Sequence, residues 1–200
     1  MMRHHNLDGR QGGDILLPHQ SSPGQQSSLK GSMVRRFVKR HQAPTRVSYP
    51  AKAAFASAIG IGLIAWLGNV TGAPLIVAPF GATCVLLFSV PESPMSQPAN
   101  VVGGYLLAAL ISMGLDHVLP DVWWAMPIAM GSVIAAMTIA RLTHPPAGAV
   151  PLVILGLHPG IGFLVLPLLT GTIALVGVAT ILHRLPPRLH HYPLPVHRKK

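Results

Sequence analysis

Two short motifs that share proline, glycine and alanine are the part of this sequence best suited to chemistry. Residues 79–82 read Pro-Phe-Gly-Ala, and residues 146–149 read Pro-Ala-Gly-Ala. Proline and glycine interrupt a helix, and the new helix turn after an interruption presents unpaired N–H groups and the positive end of its dipole. Such a turn suits a small anion. If the two turns face each other, they form an anion site built mainly from backbone.

Several side chains beside these motifs extend the candidate site. His144 could contact an anion or carry a proton, and it could equally cap or pack against a helix. Arg141 could hold an anion, or its long side chain could anchor the end of an apolar run at an interface. The candidate site comprises the motif residues and these neighbours, namely Pro79, Gly81, Ala82, Thr83, Arg141, His144, Pro145, Pro146, Gly148 and Ala149.

The remaining polar residues give no second site. Glu92 follows the first motif segment and is interpreted as a loop residue rather than a proton carrier. Asp116, His117 and Asp121 have a spacing that matches no known metal site, so we interpret them as a solvated loop. Asn100 could line a path or bond to a neighbouring helix. No nucleophile elbow, P-loop or dinucleotide fingerprint occurs, so we expect neither an enzyme nor a bound cofactor or metal.

The composition sets the environment in which these motifs must work. Of the 200 residues, 50% are hydrophobic and 10% are charged, and the mean hydropathy is +0.49. Soluble domains carry about 25% charged residues, so this chain has too few charges to cover a soluble surface. The sequence therefore predicts an integral membrane protein.

The apolar runs predict an all-α architecture. A helix needs about 20 residues to cross the hydrocarbon core. Two shorter runs are broken by proline, which indicates interrupted helices rather than regular spans. We predict four long transmembrane helices, at 53–70, 101–119, 122–142 and 161–182, and two short proline-broken segments, at 74–90 and 152–157.

An internal repeat relates the two halves of the chain. The two motifs are 67 residues apart, and the same offset places the first long run on the third and the second on the fourth. Each half then reads long span, short segment, long span. If each half crosses the membrane three times, the two halves have opposite orientations. This predicts the inverted two-fold repeat found in many secondary transporters.

The distribution of positive charge predicts the topology. Among 15 lysines and arginines, seven lie in 30–52 and five in 184–200. By the positive-inside rule, both termini are cytoplasmic in a multi-pass protein of the inner (plasma) membrane. The net charge of +10 then reflects anchoring at anionic lipid rather than nucleic-acid binding. Six crossings place Arg141 inside, whereas four crossings with re-entrant short segments place it outside, and six are favoured.

The polar ends delimit the domain. We predict a disordered polar tail over 1–45, because its Gly, Ser, Gln and Pro cannot bury enough apolar area to order it. The transmembrane domain covers 46–185, and a basic, histidine-rich cytoplasmic tail covers 186–200. The single cysteine, Cys84, excludes an internal disulfide and is expected to be a small core residue.

Three motifs together resemble those of the HPP family of membrane proteins, named for its His-Pro-Pro motif. They are Thr-His-Pro-Pro-Ala-Gly-Ala at 143–149, Ala-Pro-Phe-Gly-Ala at 78–82, and Gln-Pro-x-Asn-Val-Val-Gly-Gly at 97–104. The resemblance covers about 50–185 and implies an integral-membrane domain. Plant and cyanobacterial relatives in that family are described as nitrite transporters.

Two functions remain open at this point. The first is a transporter or channel for a small inorganic anion, with nitrite as the first candidate because of the family resemblance. The alternative is a non-transporting membrane module that binds a lipid or a protein partner. The expected partners are membrane lipid and a small anion, nucleic acid is not expected, and the sequence leaves a homo-oligomer open.

Overall fold

The computed structural model describes residues 35, 38–40, 47–188 and 190–195. The chain divides into two compact units, residues 1–44 and residues 45–200. In the first unit the described residues are exposed, and the backbone N–H of Lys39 donates to the carbonyl of Arg35 at 3.0 Å. Most of the predicted disordered tail lies outside the described residues. The second unit contains all the helices discussed below.

Six α-helices make up the second unit, and the described residues contain no β-strand, so the predicted all-α class is confirmed. Short 3₁₀ turns cover Pro94–Ser96 and Pro145–Ala149, and a π-helical turn, Leu164–Leu169, precedes the last helix. The helices are α1 (Ser48–Thr71), α2 (Pro79–Ser89), α3 (Pro98–Val118), α4 (Ala125–Ile139), α5 (Val150–Leu157) and α6 (Thr170–Arg184).

Proline and glycine set most of the helix boundaries. Pro79 is the first residue of α2, Pro98 is the first residue of α3, and Pro145 opens the 3₁₀ turn before α5. The ring fixes φ near its helical value, and the missing N–H has no partner in a first turn, so proline starts a helix at little cost. Gly72 ends α1 in the left-handed conformation with φ of 69°, which glycine adopts without a steric penalty.

Three helical stretches are long and apolar enough to cross a membrane. They are Ser48–Thr71, Pro98–Val118 and Leu164–Arg184, the last of which joins the π-helical turn to α6. The sequence predicted a fourth long span over 122–142. In the structure α4 has only 15 residues, which reach about 22 Å of the roughly 30 Å core.

The ends of α4 explain why it is shorter than the apolar run. Trp123 and Trp124 precede the helix, and the chain leaves it at Ala140. Arg141 then takes φ of 58°, a left-handed conformation that stops a helix and costs a non-glycine residue about 1–3 kcal/mol. Hydropathy alone cannot locate this turn, because Ala140 and Leu142 are as apolar as the helix itself.

Contacts between helix ends define two ends of the bundle. Residues 185–188 and 190–195, here called the C-terminal strap, fold back over one of them. Lys52 near the start of α1 donates through Nζ to the Leu185 carbonyl at 2.9 Å, and Gln97 at the start of α3 accepts from the Leu194 N–H at 2.9 Å. We call this end of the bundle the strap end.

At the opposite end, Asp116 in the last turn of α3 meets His158, which caps α5, with 2.8 Å between Oδ1 and Nδ1. Two further contacts lie back at the strap end. Tyr49 at the start of α1 donates to the Ser89 carbonyl at the end of α2. Asn100 near the start of α3 donates to the carbonyl of Arg141, after the end of α4, at 3.4 Å. Successive helices therefore run in alternating directions between the two ends.

Small residues allow the helices to pack closely. Ala56 and Gly60 lie on the buried face of α1. A Cβ added to Gly60 would lie 2.9 Å from Leu175 Cδ2 of α6, so any larger side chain would push the two helices apart. Large apolar side chains such as Phe55 and Trp66 are exposed on the outer face of α1, as expected for a surface that faces lipid.

Candidate functional site

The imidazole of His144 joins three separate parts of the chain inside the bundle. His144 immediately precedes the 3₁₀ turn Pro145–Ala149 and is fully buried. Its Nε2 lies 3.0 Å from Thr83 Oγ1 of α2. Its Nδ1 lies 2.8 Å from the carbonyl of Met95, in the 3₁₀ turn before α3.

The Met95 carbonyl decides which ring nitrogen carries the proton. A carbonyl only accepts, so Nδ1 of His144 is the donor, and Nε2 of the neutral ring is an acceptor. Thr83 Oγ1 then donates to Nε2 and accepts from the Tyr105 hydroxyl, 2.8 Å away. The result is one directed chain of hydrogen bonds, from Tyr105 through Thr83 to His144 and on to Met95. We call these three side chains and the Met95 carbonyl the His144 cluster.

Close helix packing seals this cluster. Thr83, Tyr105 and His144 are each 0% exposed. A Cβ on Gly104 of α3 would lie 2.9 Å from His144 Cβ and 2.9 Å from the Leu142 carbonyl. Because only hydrogen fits there, α3 lies directly against the chain that leads into the His-Pro-Pro motif.

Aromatic rings enclose the other side of the cluster. The Phe80 ring stands edge-on to Tyr105, with 5.6 Å between ring centroids, and the Tyr105 and His144 rings are 5.3 Å apart. A Cβ on Gly171 of α6 would overlap the Phe80 ring. The polar chain therefore lies in an apolar enclosure, where hydrogen bonds are electrostatically stronger than in water.

Asn100 connects the third sequence motif to the same place. Its Nδ2 donates to the carbonyl of Thr143 at 3.2 Å and to that of Arg141 at 3.4 Å. These bonds hold the chain between α4 and the 3₁₀ turn against the start of α3. All three motifs that carried the family resemblance therefore meet around His144.

The structure brings together only part of the predicted site. Thr83 and His144 are in direct contact, and the Pro79 carbonyl lies 3.3 Å from Thr83 Oγ1. Pro146 and Gly148 are buried in the 3₁₀ turn beside them, and Ala149 at its end is half-buried. Apart from Ala149, these residues form the buried part of the predicted site.

The other predicted residues lie apart from it. Gly81 and Ala82 are on the exposed face of α2, and a Cβ on Gly81 would meet no atom within 4 Å. The side chains of Arg141 and Pro145 are exposed. The two motif glycines thus occupy different environments, one at the surface and one in the core.

Sequence reasoning missed two members of the cluster. Tyr105 could have been recognised as a polar aromatic residue directly after the glycine pair 103–104, within an otherwise apolar run. The Met95 carbonyl carried no such signal, because a backbone acceptor is identical in every residue. Only the fold shows that it lies against His144.

Other titratable groups, Glu92 and His183 among them, lie nearer the ends of the helix bundle. Glu92 is indeed in a loop, where its Oε1 accepts from the His191 N–H at 3.2 Å and lies 3.3 Å from His190 Nδ1. The His191 N–H is the main reason why the pKa of Glu92 falls below its usual range. His183, near the end of α6, is buried with Nε2 2.8 Å from the Leu87 carbonyl. Within the described residues, no group of three His, Cys, Asp or Glu side chains could hold a metal ion.

Comparison with known proteins identifies the family. The profile of the HPP transmembrane region matches residues 42–193, which is most of the chain. The chain belongs to the HPP transmembrane family. The match includes the helices, the His144 cluster and most of the C-terminal strap. The predicted resemblance and the membrane character of this HPP protein are therefore confirmed.

Two curated relatives from Dictyostelium discoideum are named only as transmembrane proteins. One is 28% identical over 128 residues, which cover 60% of this chain and 45% of the relative. The other is 27% identical over 127 residues, which cover 60% of this chain and 40% of the relative. The HPP chain thus matches less than half the length of each. No solved structure matches it.

Proposed function

We propose that this HPP protein transports a small inorganic anion across a membrane, as a carrier or a channel, and that the anion binds at the His144 cluster. Nitrite is the first candidate because of the family resemblance. The proposal rests above all on the 3.0 Å contact between Thr83 and His144, which joins the two proline-marked segments through polar side chains. Polar groups inside a membrane domain are costly, and they commonly mark a transport path.

The hydrogen-bond directions define what the cluster can bind. In the neutral state Thr83 donates to Nε2 of His144, and every donor is satisfied internally. If the ring takes up a proton, Nε2 becomes a donor, and the hydroxyls of Thr83 and Tyr105 can turn toward a shared acceptor. Three donors and one positive charge then surround one point, which suits a monovalent anion. The anion and the proton neutralise each other where a lone charge would be costly.

Transport requires this region to open. Because Thr83, Tyr105 and His144 are fully buried, the structure corresponds to a closed state under this proposal. Opening separates α2 from the 3₁₀ turn before α5, since these two elements carry the two sides of the Thr83–His144 contact. Short, interrupted helices beside a central site are typical of transporters that alternate their access between two sides.

The helix boundaries support an inverted repeat as part of the proposal. The 67-residue offset carries Pro79–Ser89 to 146–156, and the second short stretch is Pro145–Leu157. It carries Pro98–Val118 to 165–185, and the last long stretch is Leu164–Arg184. These four boundaries agree to within one residue, whereas the offset carries Ser48–Thr71 to 115–138 and α4 begins only at Ala125.

The alternating helix directions support six crossings. The start of α1, the chain after α4 and the C-terminal strap all belong to the strap end, through the contacts of Lys52, Asn100 and Gln97. The positive-inside rule makes this end cytoplasmic in the inner (plasma) membrane, because Lys52, Arg141 and Arg184 all lie there. Asp116 and Asp121 then face the outside.

Flux measurements on reconstituted protein test the proposal. Full-length protein in liposomes is loaded with nitrite, nitrate or chloride, with and without a proton gradient. We expect saturable nitrite flux that the proton gradient accelerates. His144→Gln removes the protonatable group, so downhill flux persists but loses its dependence on the proton gradient. Thr83→Val lowers nitrite affinity about tenfold or more, as expected for the loss of one contact to a charged group.

A matched variant controls for general damage. Thr138→Val removes an exposed hydroxyl that bonds only to the Ile134 carbonyl of its own helix, and it should transport like the wild type. If wild-type protein carries none of the anions above the leak of empty liposomes, the anion proposal is wrong. If His144→Gln keeps the full dependence on the proton gradient, the cluster does not take up the coupled proton.

A second candidate function is a non-transporting membrane module that binds a lipid or a protein. The observation that favours it is the complete internal pairing of the His144 cluster, as expected for a purely structural network. In that case the same liposomes show no flux, and Thr83→Val changes only stability.

A further inference from the structure

The C-terminal strap and the end of α6 line a half-open basic cavity that the proposed transport site does not use. The cavity has a volume of about 590 Å³, and its lining includes Arg184, Arg188, His190, His191 and Tyr192. It lies at the strap end, outside the His144 cluster. None of its lining residues is acidic, and Arg184 and Arg188 give it positive charge.

One contact orients an arginine in this cavity. Arg188 donates through Nε to the Arg184 carbonyl at 2.8 Å, which fixes the plane of its guanidinium. Its two terminal nitrogens make no hydrogen bond to any described residue. A fixed guanidinium with two outer N–H groups fits the oxygens of a phosphate in a bidentate manner.

The nearby carboxylate does not neutralise the arginines. Glu92 is engaged with the His191 N–H at 3.2 Å and with His190 Nδ1 at 3.3 Å, and it is absent from the lining of the cavity. These contacts hold the strap in place, so the carboxylate of Glu92 bonds to the strap and not to Arg184 or Arg188.

A buried hydroxyl supplies an independent sign of a missing partner. Tyr192 lines the cavity and is only 5% exposed, yet its hydroxyl has no hydrogen-bond partner among the described residues. Buried hydroxyls are nearly always paired. The hydroxyl is covered in this structure, so a phosphate oxygen could accept its hydrogen bond, with its other oxygens on Arg184 and Arg188, only after the covering atoms move.

We propose that this cavity binds a phosphate group, carried either by an anionic phospholipid headgroup or by free phosphate. The cavity begins where α6 ends, and Lys52 at the start of α1 donates to the Pro187 carbonyl of the strap at 2.8 Å. The ends of spanning helices lie at the headgroup level of a bilayer. The family profile continues to residue 193, so the strap belongs to the domain.

Binding measurements distinguish the two sources of phosphate. Full-length protein in uncharged detergent is titrated with phosphatidylglycerol, with phosphatidylcholine and with inorganic phosphate, and retained lipid is counted by native mass spectrometry. We expect one saturable phosphatidylglycerol per chain in preference to phosphatidylcholine. If inorganic phosphate competes, the site recognises the phosphate group itself. If the protein binds inorganic phosphate but not phosphatidylglycerol, the ligand is free phosphate.

Charge-matched variants separate a built site from general attraction. Arg188→Gln should weaken binding about tenfold, because one charge-assisted contact is lost, and Arg188→Lys should restore part of it. Arg141→Gln removes the same charge from an arginine outside the cavity and should have little effect.

Two results would overturn this proposal. One is that neither phosphatidylglycerol nor phosphate binds saturably to the wild type. The other is that Arg188→Gln and Arg141→Gln weaken binding equally, which indicates diffuse attraction.

Circular dichroism of each variant shows whether its helices are intact, and Tyr192→Phe serves as a second variant that keeps the ring and every charge. Tyr192→Phe should also weaken binding, and unchanged binding would remove the hydroxyl from the proposed site.

Discussion

His144 shows how a polar ring is kept inside an apolar helix bundle. Both of its nitrogens have partners, the Met95 carbonyl at 2.8 Å and Thr83 Oγ1 at 3.0 Å. Without water at that depth, an unpaired polar group would cost several kcal/mol, on the order of the estimates for transfer into hydrocarbon. Thr83, Met95 and His144 come from three separate segments, so these two bonds also fix those segments relative to one another.

Thr83 is the residue whose loss should disturb this arrangement most selectively. Thr83→Val keeps the shape of the side chain but removes the bond to His144 and the acceptor of the Tyr105 hydroxyl. We expect the free energy of unfolding to fall by about 1–3 kcal/mol. Thermal unfolding in detergent measures this, with Thr138→Val as the exposed control. Equal unfolding temperatures for both variants would show that the cluster adds no stability.

Among the helices, α3 depends on small residues at its contact with the chain after α4. Gly103 and Gly104 both face this chain, and an added Cβ on Gly103 would lie 3.0 Å from Leu142 Cδ1. A Cβ added to Gly104 would be more crowded, because one of its nearest atoms is the backbone carbonyl oxygen of Leu142 at 2.9 Å. The glycine pair in the third motif is therefore explained by the close approach of α3 to the residues that lead into His144.

A pair of glycine substitutions within α3 tests this close approach. Gly104→Ala should force α3 away from His144 and the Leu142 carbonyl, and destabilise the protein by about 1–3 kcal/mol. Gly114→Ala on the same helix meets no atom within 4 Å and should be neutral or stabilising by up to about 1 kcal/mol. Thermal unfolding compares the two. A Gly104→Ala variant as stable as the wild type would contradict the packing described above.

The C-terminal strap should depend on pH through Glu92. Its pKa is lowered in the folded protein, chiefly by the His191 N–H. The stabilisation is therefore complete above the usual glutamate pKa and is lost as the pH falls through the lowered value. Glu92→Gln should speed amide exchange in the strap at neutral pH, and the difference from the wild type should vanish below the lowered pKa.

Hydrogen exchange followed by mass spectrometry measures this effect. Asp121→Asn removes an exposed carboxylate near the opposite end of the bundle and serves as the control, with no expected change in the strap. Equal exchange in wild type and Glu92→Gln at neutral pH would mean that Glu92 does not hold the strap.

For the molecule as a whole, the helix directions make a prediction about topology. Asp121 precedes α4 and Arg141 follows it, so six crossings put them on opposite sides with Arg141 in the cytoplasm. In a Cys84→Ser background, cysteines at these two positions should react with an impermeant label from opposite sides. Labelling of position 121 from the cytoplasm would favour four crossings with re-entrant short segments instead.

The sequence by itself determined the class of protein, the positions of most helices and the family. The class and the helices follow from local properties, namely apolar runs, prolines that start helices and basic residues at the ends of the domain. The family follows from the three short motifs. The length of α4 did not follow, because its last turn is set by the left-handed conformation of Arg141 and not by hydropathy. Hydropathy measures how well a segment tolerates lipid, whereas a helix ends where its backbone turns.

Only the tertiary structure decided which candidate residues lie in contact. Thr83 and His144 are 61 positions apart, and His144 and Met95 are 49 apart, so no local pattern joins them. The sequence placed Gly81 and Arg141 in the same site, but the orientation of α2 turns Gly81 to the surface and the side chain of Arg141 is exposed. Which face of a short, uniformly apolar helix is buried depends on its neighbours, and those neighbours are fixed by packing across the whole bundle.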